Sequence, residues 1–205
     1  MPAIRTPRLL LVPGALELLR ADLESSAALG RALACEVPEC WPPEFYDADA
    51  IRWTMNWPEQ RPDHGGWSFY YVLEPASETS PRPRLAGAGG FKGPPTPDGT
   101  VEIGYAIVAD RRRRGYARET VDAMLAFAFA HDNVERVIAH TLPHLAGSIG
   151  VLRSAGFAFT GSEAEPDEPD AIRYDLLRGD YEHVSPPRAS VRILAHAHDL
   201  AGPAA

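Results

Sequence analysis

The sequence predicts a single α/β or α+β domain built on a mixed β-sheet, and three observations carry that reading. Strand-like and helix-like segments come in a set order: early hairpin strands, then strand, helix, strand, helix, strand. The 20 prolines leave a gap, with none between Pro97 and Pro143. Proline removes a backbone donor from helices and central strands, so the gap marks the longest run of uninterrupted regular structure. Finally, 205 residues with 45% hydrophobic and 23% charged side chains suffice to bury a core.

Taken in order, Arg8–Val12 is a strand closing at Pro13, and Gly14–Ala34 has helical leucine spacing in one or two pieces. Prolines break Pro38–Pro62, with room for a short helix over Asp47–Trp57. Trp67–Leu73 and Leu85–Phe91 predict hairpin strands around the polar loop Pro75–Pro83, and Pro94–Gly99 is a turn. Inside the proline gap, Val101–Val108 is a strand and Gly115–His131 a helix, with Val121, Met124, Leu125 and Ala128 on one face. Arg136–Thr141 is the next strand, and Ser148–Ala155 a helix stopped by Gly156. Phe157–Thr160 and Ala171–Leu177 close the sheet around an acidic turn, Glu163–Asp170, and a Pro/Ala-rich tail starts at Ser185. Its Val191, Ile193 and Leu194 could pack on the domain or against a second subunit.

The net charge of −8 argues against a nucleic-acid partner. No apolar run approaches the ~20 residues that span a bilayer, and Leu9–Val12 is too short for a signal peptide, so no membrane partner is expected. Cys35 and Cys40 fit neither a CxxC pair nor a zinc pattern, and His196 and His198 have no ligand set around them. A cytoplasmic chain without a metal is the expectation.

Where the strand hands over to the helix of the gap stand four consecutive arginines, Arg111–Arg114, then Gly115, Tyr116 and Ala117. The first turn of a helix has unpaired N–H groups and a partial positive charge, which suits a phosphate or pyrophosphate. Gly115 lets the backbone approach closely. The turn is neither a Walker loop nor a GxGxxG fingerprint, and a solvated surface turn balanced by Asp110, Glu119 and Asp122 is the alternative.

Along the strand, Glu102, Gly104, Ala106 and Val108 share one face by the period of two, so Glu102 looks down a lane of small residues. The alternative for Glu102 is a carboxylate paired with an arginine at the sheet's end. All four tryptophans lie between Trp41 and Trp67, with Phe45, Tyr46, Phe69 and Tyr70 nearby and seven acidic residues from Glu36 to Asp63. Trp53, Trp57 and Trp67 are candidates for an aromatic wall that receives an amine through cation–π contact, against a satellite hydrophobic cluster with an acidic face.

Arg112–Ala117 resembles the Q/R-x-x-G-x-G/A signature of the GNAT N-acetyltransferases. Val101–Val108 resembles the strand before that signature, and Arg136–Thr141 with Ser148 to Phe157 resembles the family's second block. Thr6–Leu11 is similar to the opening of the RimJ/RimL-like branch. The resemblance implies the single-domain GNAT acyl-CoA N-acyltransferase fold, a mixed, mostly antiparallel sheet flanked by helices. It implies a transferase domain over 6–180 with a tail over 181–205, and acetyl transfer from acetyl-CoA to a primary amine such as a protein N-terminus or small amine. A homodimer is left open.

By the same resemblance, the amides of Arg113, Arg114, Gly115, Tyr116, Ala117 and Arg118 hold the pyrophosphate, with charge from arginines including Arg112. A bulged strand exposes Ile107 and Val108 to the pantetheine arm, and an N–H there meets the thioester oxygen. Glu102 is the candidate general base, directly or through water, because attack needs a neutral amine. The family's asparagine and its general-acid tyrosine fall at Leu145 and Leu152, both apolar. Ser148 could bond the cofactor arm or protonate the sulfur, or be an ordinary helix serine; His144 is a weaker substitute. The two leucines keep a second reading open, a catalytically weak acyl-CoA-binding regulatory module.

Overall fold

A computed structural model describes residues 2–60, 66–162, 170–184 and 191–194. Its strands form one nine-stranded sheet, in chain order β1 (Ala3–Arg5), β2 (Leu10–Pro13), β3 (Phe69–Glu74), β4 (Arg84–Phe91), β5 (Thr100–Ile107), β6 (Arg136–Thr141), β7 (Ala158–Ser162), β8 (Ile172–Leu177) and β9 (Arg192–Leu194). The spatial order is β7-β8-β6-β5-β4-β3-β2-β1-β9, antiparallel throughout except for the parallel pair β5–β6. The expected β3–β4 hairpin is present. The sheet also takes in β1 and β9, which lie outside the 6–180 span and which sequence patterning did not single out as strands.

The helices are α1 (Leu16–Glu24), α2 (Ser26–Ala32), α3 (Ala48–Gln60), α4 (Tyr116–Phe129), α5 (Ala146–Ser154) and α6 (Arg178–Val184). Local chemistry explains several of their ends. The Gly14–Ala34 segment breaks in two at Ser25, whose extended backbone ends α1 and whose hydroxyl accepts from the Ala28 N–H. Asp47 caps α3 by accepting from the N–H groups of Asp49 and Ala50. Gly156, at φ 96°, ends α5 with paired bonds from its own N–H to Arg153 and from Phe157 N–H to Leu152. Arg178 closes α4 by donating to the carbonyls of Phe129, Val134 and His131, a cation at the negative end of a helix.

Two cores lie on opposite faces. One packs α4 and α5 against the sheet through Val121, Met124, Leu125 and Leu152 with Leu11, Val72, Ile103 and Val137. The other packs Leu19, Leu29, Trp41, Tyr46 and Ile51 from α1, α2, α3 and their connections on Tyr71, Leu73, Leu85 and Val108. Burying one such large side chain contributes about 1.5–3 kcal/mol. The split positions the site, because α1–α3 contribute their core over β2 to β5, and β6 to β8 lie beyond it.

Candidate functional site

The site starts from a parting of strands. β5 pairs with β6 only at Thr100–Arg136, Val101–Val137 and Glu102–Ile138, whereas its pairing with β4 continues without a register shift to Ile107 opposite Gly87. Lys92 N–H bonds the Glu102 carbonyl and Val108 N–H bonds the Ala86 carbonyl. In an antiparallel ladder such residues alternate, so even positions of β5 point their amides at β4. Ile103, Tyr105 and Ile107 therefore turn theirs toward the side that β6 has left. This corrects one expectation: Val108 is buried with its N–H spent on Ala86, and only Ile107 of the two faces the opening. The parting also needs no bulge in β5.

The opening leads into a cavity of about 780 Å³ lined by residues of β4, β5, β6, the arginine turn, α5 and the α3 side. At one end stands the N-terminus of α4. Its N-cap is Gly115, at φ 79°, and no side chain caps it, so the first amides are left for another partner. Arg113 is also left-handed, at φ 64°, and successive amides in such a turn form an anion-binding concavity. Arg113, Gly115, Tyr116, Ala117 and Arg118 line the cavity with Arg111 and Arg112, while Arg114 does not.

The four arginines are not alike. Arg111 is turned inward against Glu74 and Asp110. Arg112 braces the strand by donating to the Ile107 carbonyl and reaches Glu44. Arg113 and Arg114 are exposed and make no side-chain hydrogen bond or ion pair with a described residue. Arg118 is held by Asp122 and the Ser154 carbonyl. The Tyr116 ring is buried and its hydroxyl donates to Glu74, so this residue offers the cavity its backbone.

In the middle of the cavity Glu102 sits as its strand face requires, beside an open lane: a Cβ built on Gly104 would meet nothing within 4 Å. Its partners are not arginines. Lys92 Nζ lies 2.5 Å and His140 Nδ1 2.9 Å from the same carboxylate oxygen. Sequence reading missed both. Register supplies the reason: Lys92 bonds Glu102 across β4–β5, and His140 lies two residues beyond Ile138, the β6 partner of Glu102, so all share one face.

On the α5 side Ser148 lines the cavity with the Tyr105 hydroxyl 3.3 Å from its Oγ. Burial pushes the Tyr105 phenol up to about 12, against a lowering by Ser148, so the hydroxyl keeps its proton at neutral pH. Leu152 is wholly buried in the core and Leu145 lines the cavity; His144 is exposed and outside the lining.

The far wall is aromatic. Tyr46 stacks on Phe69 with centroids 4.8 Å apart, and Phe45 and Trp53, 59% and 49% exposed, stand beside them. Asp22 of α1 anchors this wall from behind, accepting from Trp41 Nε1, Tyr46 OH and Tyr71 OH. Burial raises its pKa more than those three hydrogen bonds lower it. Trp67 is a correction: it is buried in the α4-side core against Phe91, Phe127 and His131, and does not line the cavity. It precedes β3 and packs in the core opposite the one that takes Ile51 of α3. The Trp57 side chain lies outside the described residues, as do Glu163–Pro169, His196 and His198. The acidic rim is largely engaged: Glu44 pairs with Arg112, Asp49 with Arg52, Glu36 with Arg84, and Asp47 caps α3.

Comparison with known proteins adds a family to this geometry. The model of the acetyltransferase (GNAT) domain matches residues 15–158. The uncharacterized N-acetyltransferase YjdG of Bacillus subtilis is 32% identical over 81 residues, 40% of this chain and 48% of that protein. The match thus spans about half the length of that relative. Among solved structures, a GNAT-family acetyltransferase from Bacillus anthracis is similar at TM-score 0.56 and 20% identity, over 86% of this chain and 99% of that one. Mutant forms of the spermidine/spermine N-acetyltransferase SpeG from Vibrio cholerae give 0.59 at 15% identity, over 86% and 97%. The ribosomal L7/L12 alpha-N-protein acetyltransferase RimL, in complex with coenzyme A, gives 0.59 at 15% identity, over 84% and 95%. At such identities these likenesses concern the fold.

Proposed function

The chain belongs to the GNAT acetyltransferase family, and from that premise we propose that it transfers an acetyl group from acetyl-CoA directly to a primary amine. The observation that carries this reading is the parting of β5 from β6 after Glu102, with the uncapped N-terminus of α4 at its mouth. Three features fit acetyl-CoA: the left-handed turn at Arg113 and Gly115, the exposed Arg113 and Arg114 side chains, and the unpaired edge of β5. The turn from Arg113 to Arg118 would hold the pyrophosphate with its amides, and the Ile107 edge the pantetheine arm, as an added strand. Bound there, acetyl-CoA supplies an activated thioester.

This chain's own groups do the rest. Glu102 takes the proton that the amine loses as its nitrogen bonds the acetyl carbon, directly or through water. The Lys92 ammonium, 2.5 Å away, and His140 hold the carboxylate in the lane where the amine would enter. The Ile107 N–H would stabilise the negative charge that develops on the acetyl oxygen. The sulfur leaves with its electron pair, and the Ser148–Tyr105 hydroxyl pair on the cavity wall would give it a proton. The aromatic wall of Phe45, Tyr46, Trp53 and Phe69 receives the acceptor.

The protein is further read as RimJ/RimL-like and cytoplasmic, with its transferase domain over 6–180 and a tail over 181–205 whose β9 joins the edge of the sheet at β1. The free thiols of Cys35 and Cys40 and the need for acetyl-CoA support the location. Incubation with acetyl-CoA and a panel of peptides and small amines, read as acetylated product by mass, tests the function. Product from at least one amine is expected; CoA binding without turnover of any amine would instead favour the acyl-CoA-binding module, for which the buried Leu152 speaks.

A further inference from the structure

The opening segment of the chain reaches the arginine turn from outside the cavity. Arg8 binds Glu119, in the first turn of α4, three ways: its backbone N–H donates at 2.9 Å, and its Nε and a terminal nitrogen each lie 2.7 Å from the second oxygen. The Thr6 hydroxyl donates to the same carboxylate at 2.5 Å. The other end of the guanidinium donates to the Arg114 carbonyl at 2.9 Å, and the group lies over the Tyr116 ring. A Cβ on Gly115 would sit 3.2 Å from that guanidinium.

Two consequences follow from elementary geometry and charge. Among the described residues the one cis peptide is Trp41–Pro42, so the Arg114–Gly115 peptide is trans. In a trans peptide the C=O and N–H point in opposite directions. Holding the Arg114 oxygen toward Arg8 turns the Gly115 N–H the other way, and Gly115 lines the cavity whereas Arg8 and Arg114 do not. The second consequence concerns Glu119. A carboxylate suits a bare helix N-terminus, but one in the first turn repels a bound polyanion, and Arg8 neutralises it.

We propose that Arg8 is a positioning residue for the donor site: without touching the cofactor, it aims the Gly115 amide into the anion cradle and cancels the charge of Glu119. The inference rests on the acetyl-CoA reading and adds a residue from the far N-terminal strand region to it. It also explains why Thr6, Arg8 and the glycine turn occur in one chain although more than a hundred residues separate them.

The test compares two donors in the full-length protein, acetyl-CoA and S-acetyl-pantetheine, which lacks the pyrophosphate. Arg8→Gln is expected to raise the KM for acetyl-CoA and the Kd for CoA about tenfold, as loss of charge-assisted hydrogen bonds implies. kcat, the KM for the amine and kcat/KM with S-acetyl-pantetheine stay within about twofold. Arg8→Lys, which keeps the charge but not the fork, falls between. Equal losses with both donors would reduce Arg8 to a general structural role, and unchanged CoA binding would overturn the proposal alone. A wild-type protein that binds no CoA would overturn the acetyl-CoA reading itself.

Discussion

The two ends of the cavity are built on different principles. The end proposed for the donor is one short stretch, Arg112 to Arg118, which presents main-chain amides in conformations set by Arg113 and Gly115. The end proposed for the acceptor is a wall of side chains: Phe45 and Tyr46 from a loop, Trp53 from α3 and Phe69 from β3, steadied by Asp22 from α1. A site made of backbone depends on local conformation and tolerates side-chain change. A site made of side chains depends on every element that delivers one. Between the two ends lies Glu102, held by Lys92 and His140.

Substitutions can break this contrast or sharpen it. The largest effect is expected at the midpoint, where Glu102→Gln lowers kcat by about 10²–10⁴-fold while the Kd for CoA is unchanged; a parallel loss of CoA binding would mean that the ends are not separable. Trp67→Ala, in the core, costs about 3–5 kcal/mol in denaturant unfolding, and the amine KM of the protein that remains folded is unaltered.

Asp22→Ala leaves three donors without their acceptor and costs roughly 2–4 kcal/mol, with Asp22→Asn much milder. pH separates the wild type from both variants. The folded pKa of Asp22 lies above its unfolded value of 3.8, so the folded state binds more protons in that window. The contribution of Asp22 to stability is therefore greatest below the unfolded pKa, and falls as pH rises through the folded one. Subtracting the Asp22→Asn unfolding curve from that of the wild type should show this decline; a flat difference would contradict it.

Gly115→Ala forces a Cβ into a left-handed position and costs about 1–2 kcal/mol, read as weaker CoA binding at constant amine KM. Trp53→Ala is the smallest, raising the amine KM by about two- to fivefold through lost cation–π contact of about 0.5–1 kcal/mol and sparing the KM for acetyl-CoA.

Legibility in the sequence follows the same division. Strand β6 coincides with its expected span, and the proline-free interval holds β5, the turn, α4 and β6 as predicted. These are contiguous, periodic segments whose boundaries are marked by glycine, proline and helix spacing. The signature turn was readable because its uncapped amides belong to one contiguous stretch of chain. Val108 and Trp67 were misplaced for a different reason. Alternation along a strand tells which residues share a face, but which edge hydrogen-bonds β4, and which face meets α4, depend on partners far away in the chain. Lys92, His140, Tyr105 and Arg8 were invisible as site residues on the same ground: each acquires its role from a neighbour across the sheet or from another element.

What the sequence determined by itself is thus the set of local pieces: the order of elements, an arginine-glycine turn at the start of a helix, and a carboxylate on a lane of small residues. Only the tertiary structure decided how they act together. It parted β5 from β6 just past Glu102, paired that carboxylate with Lys92 and His140, set Tyr105 against Ser148, and brought Arg8 to the back of the turn. The physical reason is range. Backbone conformation and periodicity are settled among residues within a few positions of each other, whereas register and burial are settled by the whole sheet.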